Sequence, residues 1–259
     1  MSTVNPYESP EEKGTLPAAP KKGYRFTWTE LFVVIAIISV LWLMLLPAKS
    51  GVREAARRNQ CGSQLEQIGV ALRAYQDDYG CLPPAYVADQ TGRRMHSWRT
   101  LILPYLDDYE GLHDKYDFDK PWNSPENLQL AEEFDSWSCP SWKQSAKGKT
   151  TYMLVSGPGT LFEGDRSTCL DATKLRDGGK STIILAETAS PGVTWTEPVD
   201  LDVAKMNFQI NGGPGEIGSD HSGGVAMVLF ADGHVEALPA KTTREKLREM
   251  CSAAPAESR

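Results

Sequence analysis

The feature that most constrains this chain is an apolar run of sixteen uncharged residues, LFVVIAIISVLWLMLL, at positions 31–46. Ser39 is the only polar side chain in it. When the run is extended back to Phe26 it has twenty-one residues, which as an α-helix cover about 31 Å, close to a bilayer's hydrocarbon core. The sequence therefore predicts a transmembrane helix over residues 26–46, with Glu30 in its first turns.

A cleaved secretory signal is the alternative interpretation of this run. Such a signal ends in a small-x-small cleavage site, for which Ala48-Lys49-Ser50 is a weak candidate, with Pro47 just before it. The helical pattern that follows favours a continuous chain. Charge leaves the orientation open, because four Lys or Arg residues precede the segment and four follow it.

The first 25 residues are rich in Pro, Glu, Lys and Ser and show no hydrophobic period, which predicts a disordered tail. The whole chain of 259 residues has a net charge of -7 and no long basic stripe. Because phosphate contacts need clustered cations, we expect no nucleic-acid partner.

Residues 47–80 are predicted to continue the helix with one apolar face. Apolar residues recur there at steps of four and three, at Cys61, Leu65, Ile68, Leu72, Tyr75 and Tyr79. Gly80 and the prolines at 83 and 84 end the pattern. We therefore expect one nearly continuous helix over residues 27–79, kinked at Pro47, with its apolar stripe packed on the rest of the chain.

Residues 81–240 are predicted to form a domain built on a sheet. Short segments rich in β-branched residues predict strands at 151–155, 181–187, 193–196, 225–230 and 234–238. Asp232-Gly233 predicts a hairpin between the last two strands. In residues 241–259, Thr242 and Glu245 form a capping box for a short helix at 243–250, followed by a tail. The layout is α+β.

Two segments of this domain are ambiguous in sequence. Residues 98–106 are apolar and fit either a short helix or a packed loop. Residues 107–119 are acidic and indicate a solvated surface. A calcium loop is the weaker alternative, because the glycine and distal glutamate of an EF-hand are missing from their places.

His221, Asp232 and His234 are the residues that could form a metal or acid–base site. No Cys-x-x-Cys or His-Glu-x-x-His motif accompanies them. Turn chemistry explains Asp232 better, and packing or a loop hydrogen bond explains His221. We therefore expect no metal, no cofactor and no catalytic residues, and a protein that is not an enzyme.

Five cysteines allow up to two disulfides in an oxidising compartment. Cys61 lies on the helix stripe and is interpreted as a small buried apolar residue. Cys61 and Cys81 are poor partners because a helix separates them. The pairing among the other four stays open in sequence; they are Cys81, Cys139, Cys169 and Cys251.

The sequence FTWTEL at 26–31, followed by VVIAII, resembles the prepilin-type cleavage and methylation segment of type IV pilins and type II secretion pseudopilins. Over residues 26–240 the chain is similar to a bacterial family that joins this segment to a domain of unknown function, number 1559. The similarity is carried by REAARRNQC at 53–61, LEQIGVAL at 65–72, HSWRTLILPYL at 96–106, YDFDKPWNSPEN at 116–127, SCPS at 138–141, DGGKSTIILAE at 177–187, WTEPVDL at 195–201 and HSGG…FADGHV at 221–235.

The resemblance implies a pilin-like or pseudopilin-like fold, in which a long N-terminal membrane-spanning helix packs on an antiparallel β-sheet. It implies a single pass through the inner cell membrane, with the N terminus cytoplasmic and the domain at 81–240 extracytoplasmic. Phe26 would be the first mature residue and Glu30 the fifth, paired with the terminal amine of a neighbouring subunit. Pro47 stands where pilins bend their helix. The implied partners are the lipid bilayer, other copies of the N-terminal helix, secretion-system components and a prepilin peptidase.

Two positions depart from the family pattern. Arg25 precedes Phe26, where the peptidase prefers glycine, and the nearest glycine is Gly23. An uncut single-pass anchor is therefore the alternative to processing. The C-terminal signature of His221, Asp232 and Gly233 has ten residues between its His and Asp, where the family has nine. The extra residue predicts a β-bulge near Gly223 and Gly224.

Together these observations predict a membrane-anchored, pilin-like structural protein, a subunit or component of a type II secretion or type IV pilus-like system. The alternative is a non-polymerising, single-pass surface protein whose helix only tethers a binding domain. No combination of residues in the sequence supports a third possibility, a tethered enzyme.

Overall fold

The computed structural model describes residues 27–45, 49–107, 109–134, 137–144, 146–169, 174–189 and 192–253. The chain divides into two compact units, Met1–Lys49 and Ser50–Arg259. The predicted tail at 1–25 and the positions Gly23, Arg25, Phe26 and Pro47 lie outside the described residues.

Helix α1, Trp28–Leu45, is the described element of the first unit. The backbone N–H of Thr27 donates to the Glu30 carboxylate at 3.0 Å, so Glu30 satisfies a free donor at the helix start. The described apolar side chains of α1 are exposed.

The predicted membrane span is wrong: among the described residues, no helix has the length and apolar character needed to cross a bilayer. The eighteen residues of α1 rise about 27 Å. Polar Thr29 and Glu30 occupy its first turn. Two expectations that rest on this span are therefore wrong as well: the membrane-spanning helix of the fold class and the location in the inner membrane.

The remaining elements follow the predicted order of a long helix and then a sheet. They are, in chain order, α2 (Lys49–Tyr79), β1 (Tyr86–Ala88), β2 (Arg94–Ser97), α3 (Trp98–Leu101), α4 (Glu110–His113), α5 (Pro125–Glu133), β3 (Lys149–Thr150), β4 (Tyr152–Ser156), β5 (Ile183–Glu187), β6 (Val193–Thr194), β7 (Leu201–Asp202), β8 (Val225–Phe230), β9 (Val235–Pro239) and α6 (Arg244–Met250). The apolar segment after β2 is α3 followed by a 3-10 turn at Leu103–Tyr105.

The main sheet has five strands in the order β7-β4-β5-β8-β9. Its pairs are antiparallel except β4–β7, which is parallel. The α+β class is confirmed, whereas the expected purely antiparallel sheet is corrected at this edge. The predicted strand at 193–196 forms β6, which pairs with β3 in a separate ribbon.

Both faces of the sheet are buried, each in its own core. Strands β4, β5, β8 and β9 contribute to both cores, because successive residues of a strand point to opposite faces. On one face, Leu154 and Leu229 join a core with four residues of the predicted α2 stripe, each at most 1% exposed: Cys61, Leu65, Ile68 and Leu72. The stripe is exposed at its end, where Tyr79 is 65% exposed. On the other face, Val155 and Val228 pack in a second core with Leu247 of α6.

The hairpin between β8 and β9 is confirmed. Gly233 has φ 97°, the positive value that a tight turn requires, and the Asp232 side chain accepts from the His234 N–H at 3.1 Å. The bulge predicted at Gly223 and Gly224 is wrong. Both glycines have positive φ and lie in the turn that precedes β8, so the turn absorbs the extra residue. The register shift lies instead in β5, between Ile183 and Leu185.

The final helix is capped one residue later than predicted. Thr243 accepts from the Lys246 N–H at 3.3 Å, whereas the Thr242 hydroxyl donates to the Pro239 carbonyl.

Candidate metal centre

Four side chains with metal-binding atoms converge between α2 and the sheet. Cys61 comes from α2, Cys139 from the loop after α5, Glu187 from the end of β5, and His221 from the loop before β8. All four are buried, and their ligand atoms lie within 4.8 Å of one another. The Cys61 and Cys139 sulfurs are 3.0 Å apart. His221 Nε2 lies 3.5 Å from Cys139 Sγ and 3.5 Å from Glu187 Oε1.

Local structure fixes each ligand. Cys61 is held by the apolar stripe of α2, which the core covers. The Cys139 N–H donates to Thr151 Oγ1 at 2.9 Å, so that the loop is anchored at the entry to β4. Glu187 Oε2 accepts the Met227 N–H of β8 at 2.8 Å. These contacts leave the two sulfurs and Glu187 Oε1 directed toward the same small volume.

Glu54 orients His221 from the same helix that carries Cys61. Its Oε1 lies 2.6 Å from His221 Nδ1, and its carboxylate also accepts from the Ser141 hydroxyl and the Ser222 N–H. Burial acts to raise the pKa of Glu54, but the hydrogen bonds from His221 and Ser141 outweigh it and the pKa is lowered. Glu54 is therefore ionised at neutral pH.

An ionised carboxylate can only accept hydrogen bonds, so Nδ1 of His221 carries a proton. The other ring nitrogen, Nε2, then faces Cys139 and Glu187. Burial lowers the pKa of His221, but contacts with Cys139, Glu187 and Glu54 outweigh it and raise this pKa to about 10. A positive charge at Nε2 is thus favoured by its surroundings.

Glu187 is the least satisfied member of the group. Its residue is 0% exposed, and among the described residues Oε1 makes no hydrogen bond but lies 3.5 Å from His221 Nε2. A buried carboxylate oxygen without a donor is costly, and such atoms in native proteins call for an explanation. The Cys139 thiol beside it has a raised pKa, first because of its contact with Cys61 and then because of burial.

The residues predicted from sequence lie in different places. Of the C-terminal signature, His221 belongs to the four-residue group, whereas Asp232 and Gly233 form the β8–β9 turn. Asp232 Oδ1 lies 2.5 Å from His234 Nδ1, and the Asp232 carbonyl accepts from Arg73. Glu30 is exposed and accepts from the Thr27 N–H.

Sequence analysis missed Cys61, Cys139, Glu187 and Glu54 as members of one site. The two cysteines are 78 residues apart in the chain, and Cys139 and His221 are 82 residues apart. Ligands this far apart form no short motif that a sequence would reveal. A signal was nevertheless present, since each residue lies in one of the segments that carry the family resemblance, at 53–61, 138–141, 177–187 and 221–235.

The other cysteines are accounted for separately. Cys81 and Cys169 form a disulfide that closes 88 residues of chain. Cys251 is a free buried thiol outside the four-residue group.

Comparison with known proteins gives one family. Residues 50–173, just under half of the chain, match the model of a family described as "Protein of unknown function (DUF1559)". The resemblance stated from sequence is thus supported for this region, which excludes the prepilin-like segment at 26–46. Searches of curated proteins and of solved structures each found no match.

Proposed function

We propose that the chain is a pilin-like structural protein whose copies assemble through α1, as a component of a type II secretion or type IV pilus-like system. The observation that carries the proposal is the exposure of α1: Trp28 is 78% exposed, Phe32 70% and Trp42 63%. Large exposed apolar surfaces mark interaction sites, because their burial releases water from apolar area.

The distribution of these side chains favours several like partners over one. From Trp28 to Trp42, exposed apolar residues occupy each turn of α1 and all of its sides, including Val34, Ile35, Ile37, Ile38 and Leu41. A helix with one apolar face is satisfied by one groove, whereas one that is apolar all round needs neighbours on all sides. A bundle of α1 helices from several copies supplies them.

The polar groups of α1 are compatible with such enclosure. The Ser39 hydroxyl donates to the Ile35 carbonyl at 2.7 Å, so packing against apolar neighbours leaves it satisfied. Thr29 and Glu30 lie in the first turn, at the end of the apolar surface. We further propose that Glu30 sets the register by pairing with a cationic group of the neighbouring copy.

Sedimentation velocity of the full chain tests the assembly. We expect concentration-dependent oligomers for the wild type and a monomer for Ile38→Lys, because the ammonium group would be buried among apolar helices. Val70→Lys is the matched control, since Val70 is 67% exposed on α2. It should assemble as the wild type does. A wild type that stays monomeric at all concentrations would refute assembly and leave the non-polymerising binding protein.

Two further measurements separate processing from register. N-terminal sequencing that starts at N-methylated Phe26 would support cleavage by a prepilin peptidase, whereas an intact Met1 or Ser2 would exclude it. If Glu30→Ala assembles like the wild type, the register role of Glu30 is wrong, although assembly itself stands.

A further inference from the structure

We propose that Cys61, Cys139, Glu187 and His221 bind one Zn²⁺ ion, which ties α2 to the sheet. Two thiolates, one imidazole and one carboxylate are a ligand set that favours zinc over magnesium or calcium. With four protein ligands the site is closed, as in structural zinc sites, and leaves no open position for a substrate.

The geometry fits a tetrahedral ion. Zinc bonds of about 2.3 Å to sulfur and about 2.0 to 2.1 Å to nitrogen or oxygen place ligand atoms roughly 3.3 to 3.8 Å apart. The observed distances of 3.5 Å from His221 Nε2 to Cys139 Sγ and to Glu187 Oε1 agree. The sulfur–sulfur distance of 3.0 Å requires the two thiols to separate by about 0.8 Å on binding.

Hydrogen bonding around His221 presents the correct atom to the ion. The Nδ1–H is held by Glu54 at 2.6 Å, so Nε2 is the ring atom that becomes the ligand when it gives up its proton to bind the ion. Carboxylate–histidine–zinc arrangements of this kind orient the ring in many zinc sites. Glu54 is thus a positioning residue, and it acts through His221.

The ion also satisfies groups that the protein alone does not. Glu187 Oε1 is buried and makes no hydrogen bond among the described residues; a bound ion would replace its 3.5 Å contact with His221 Nε2 by a direct bond to the carboxylate. On binding, the two thiols and Nε2 of the protonated His221 ring each release one proton to solvent and bind the ion, and no electron is transferred. The four ligands come from four segments far apart in the chain, so that the ion cross-links them as a disulfide would.

A disulfide between Cys61 and Cys139 is the competing outcome. It would require the sulfurs to approach from 3.0 Å to about 2.05 Å. It would use neither the Nε2 of His221 nor the buried oxygen of Glu187, whereas the zinc site uses all four groups.

The test uses the full chain, purified without reductant so that the Cys81–Cys169 disulfide persists, then loaded with Zn²⁺ alone and separated from the excess. We expect one zinc per chain by inductively coupled plasma mass spectrometry. Cys61→Ser and His221→Ala should weaken zinc binding about 100-fold or more in chelator competition, and Glu54→Gln about 10- to 100-fold. Cys251→Ser is the matched control, because it removes a buried free cysteine outside the group, and it should bind as the wild type does.

Co²⁺ replacement in the wild type gives a readout that does not depend on the variants folding. Thiolate-to-cobalt charge transfer with the visible bands of tetrahedral Co²⁺ would support the site. A zinc-free wild type with a second disulfide at Cys61–Cys139 in the non-reduced peptide map would overturn the proposal. Zinc retained by folded His221→Ala, or lost equally in Cys251→Ser, would overturn it as well.

Discussion

At the scale of single residues, Arg99 and Asp200 hold two distant segments together inside the domain. Their side chains are 0% and 4% exposed, and Arg99 Nη2 donates to Asp200 Oδ1 at 2.9 Å. The same oxygen accepts from Trp98 Nε1 and from the Leu154 N–H of β4. Both residues lie in segments that were singled out by resemblance, 96–106 and 195–201, but their pairing is visible only in the fold.

Asp200→Asn is expected to destabilise the protein by about 3 to 5 kcal/mol, because it removes the counter-charge that is hydrogen-bonded to the buried guanidinium of Arg99. Asp202→Asn is the control two positions away, since its partner Lys205 is 84% exposed, and it should cost less than about 1 kcal/mol. Urea unfolding measures both. Equal losses would show that the Arg99 pair contributes no more than a surface pair.

Tyr105 provides a pH test at the same scale. Burial and the hydrogen bond from its hydroxyl to Asp78, at 2.7 Å, raise the pKa of Tyr105 to about 12. A raised folded pKa means that its contribution to stability is complete below about pH 10, where an unfolded tyrosine ionises, and is lost as the pH rises toward 12.

Asp78→Asn should therefore lower the pKa of Tyr105, because the carboxylate no longer opposes the phenolate. NMR titration of ring-labelled tyrosine measures this change. The Tyr116 resonance serves as the internal control, since Asp78 is not among the groups that raise its pKa. An unchanged Tyr105 pKa would contradict the role of Asp78.

At the scale of elements, the contact between α2 and β8 depends on a small residue. A Cβ at Gly69 would meet the Leu229 methyl carbons at 3.1 and 3.2 Å, whereas one at Gly51 would meet nothing within 4 Å. Glycine inside a helix normally costs stability relative to alanine, so its presence here is explained by the close approach of helix and strand.

Gly69→Leu should destabilise the domain by about 1 to 3 kcal/mol, because the added side chain overpacks the interface with β8. Gly51→Leu on the same helix should be neutral or slightly stabilising, since leucine is the better helix former. Thermal unfolding of the two variants gives the comparison. If both variants behave alike, the close packing at Gly69 does not limit the interface.

At the scale of the whole molecule, the two units differ in how many of their described side chains are buried. The buried residues of the described chain run from Glu54 to Cys251 and thus belong to the second unit. The first unit contributes α1, whose described apolar side chains are exposed. Stability and assembly are therefore expected to reside in different parts of the chain.

Deletion of residues 1–49 should leave the unfolding temperature of the remainder unchanged, because neither core includes a residue from that segment. Circular dichroism at low concentration measures this for the shortened and full chains. A clear fall in the unfolding temperature on deletion would show that the first unit supports the fold.

The sequence by itself determined the features that depend on near neighbours. The stripe of α2, the strands β4, β5, β8 and β9, the Asp232-Gly233 turn and the apolar character of α1 all follow from periodicity or turn chemistry within a few residues. The same local information failed for the membrane span, because among the described residues no helix has the length and apolar character needed to cross a bilayer.

Only the tertiary structure decided what long-range packing brings together. It paired β4 with β7 in parallel, joined Cys81 to Cys169 and placed Arg99 on Asp200. It also gathered Cys61, Cys139, Glu187 and His221 around one point. The physical reason is that these contacts join segments tens of residues apart. Which of these segments come into contact depends on how α2 packs against the strands, and no local sequence pattern specifies that packing.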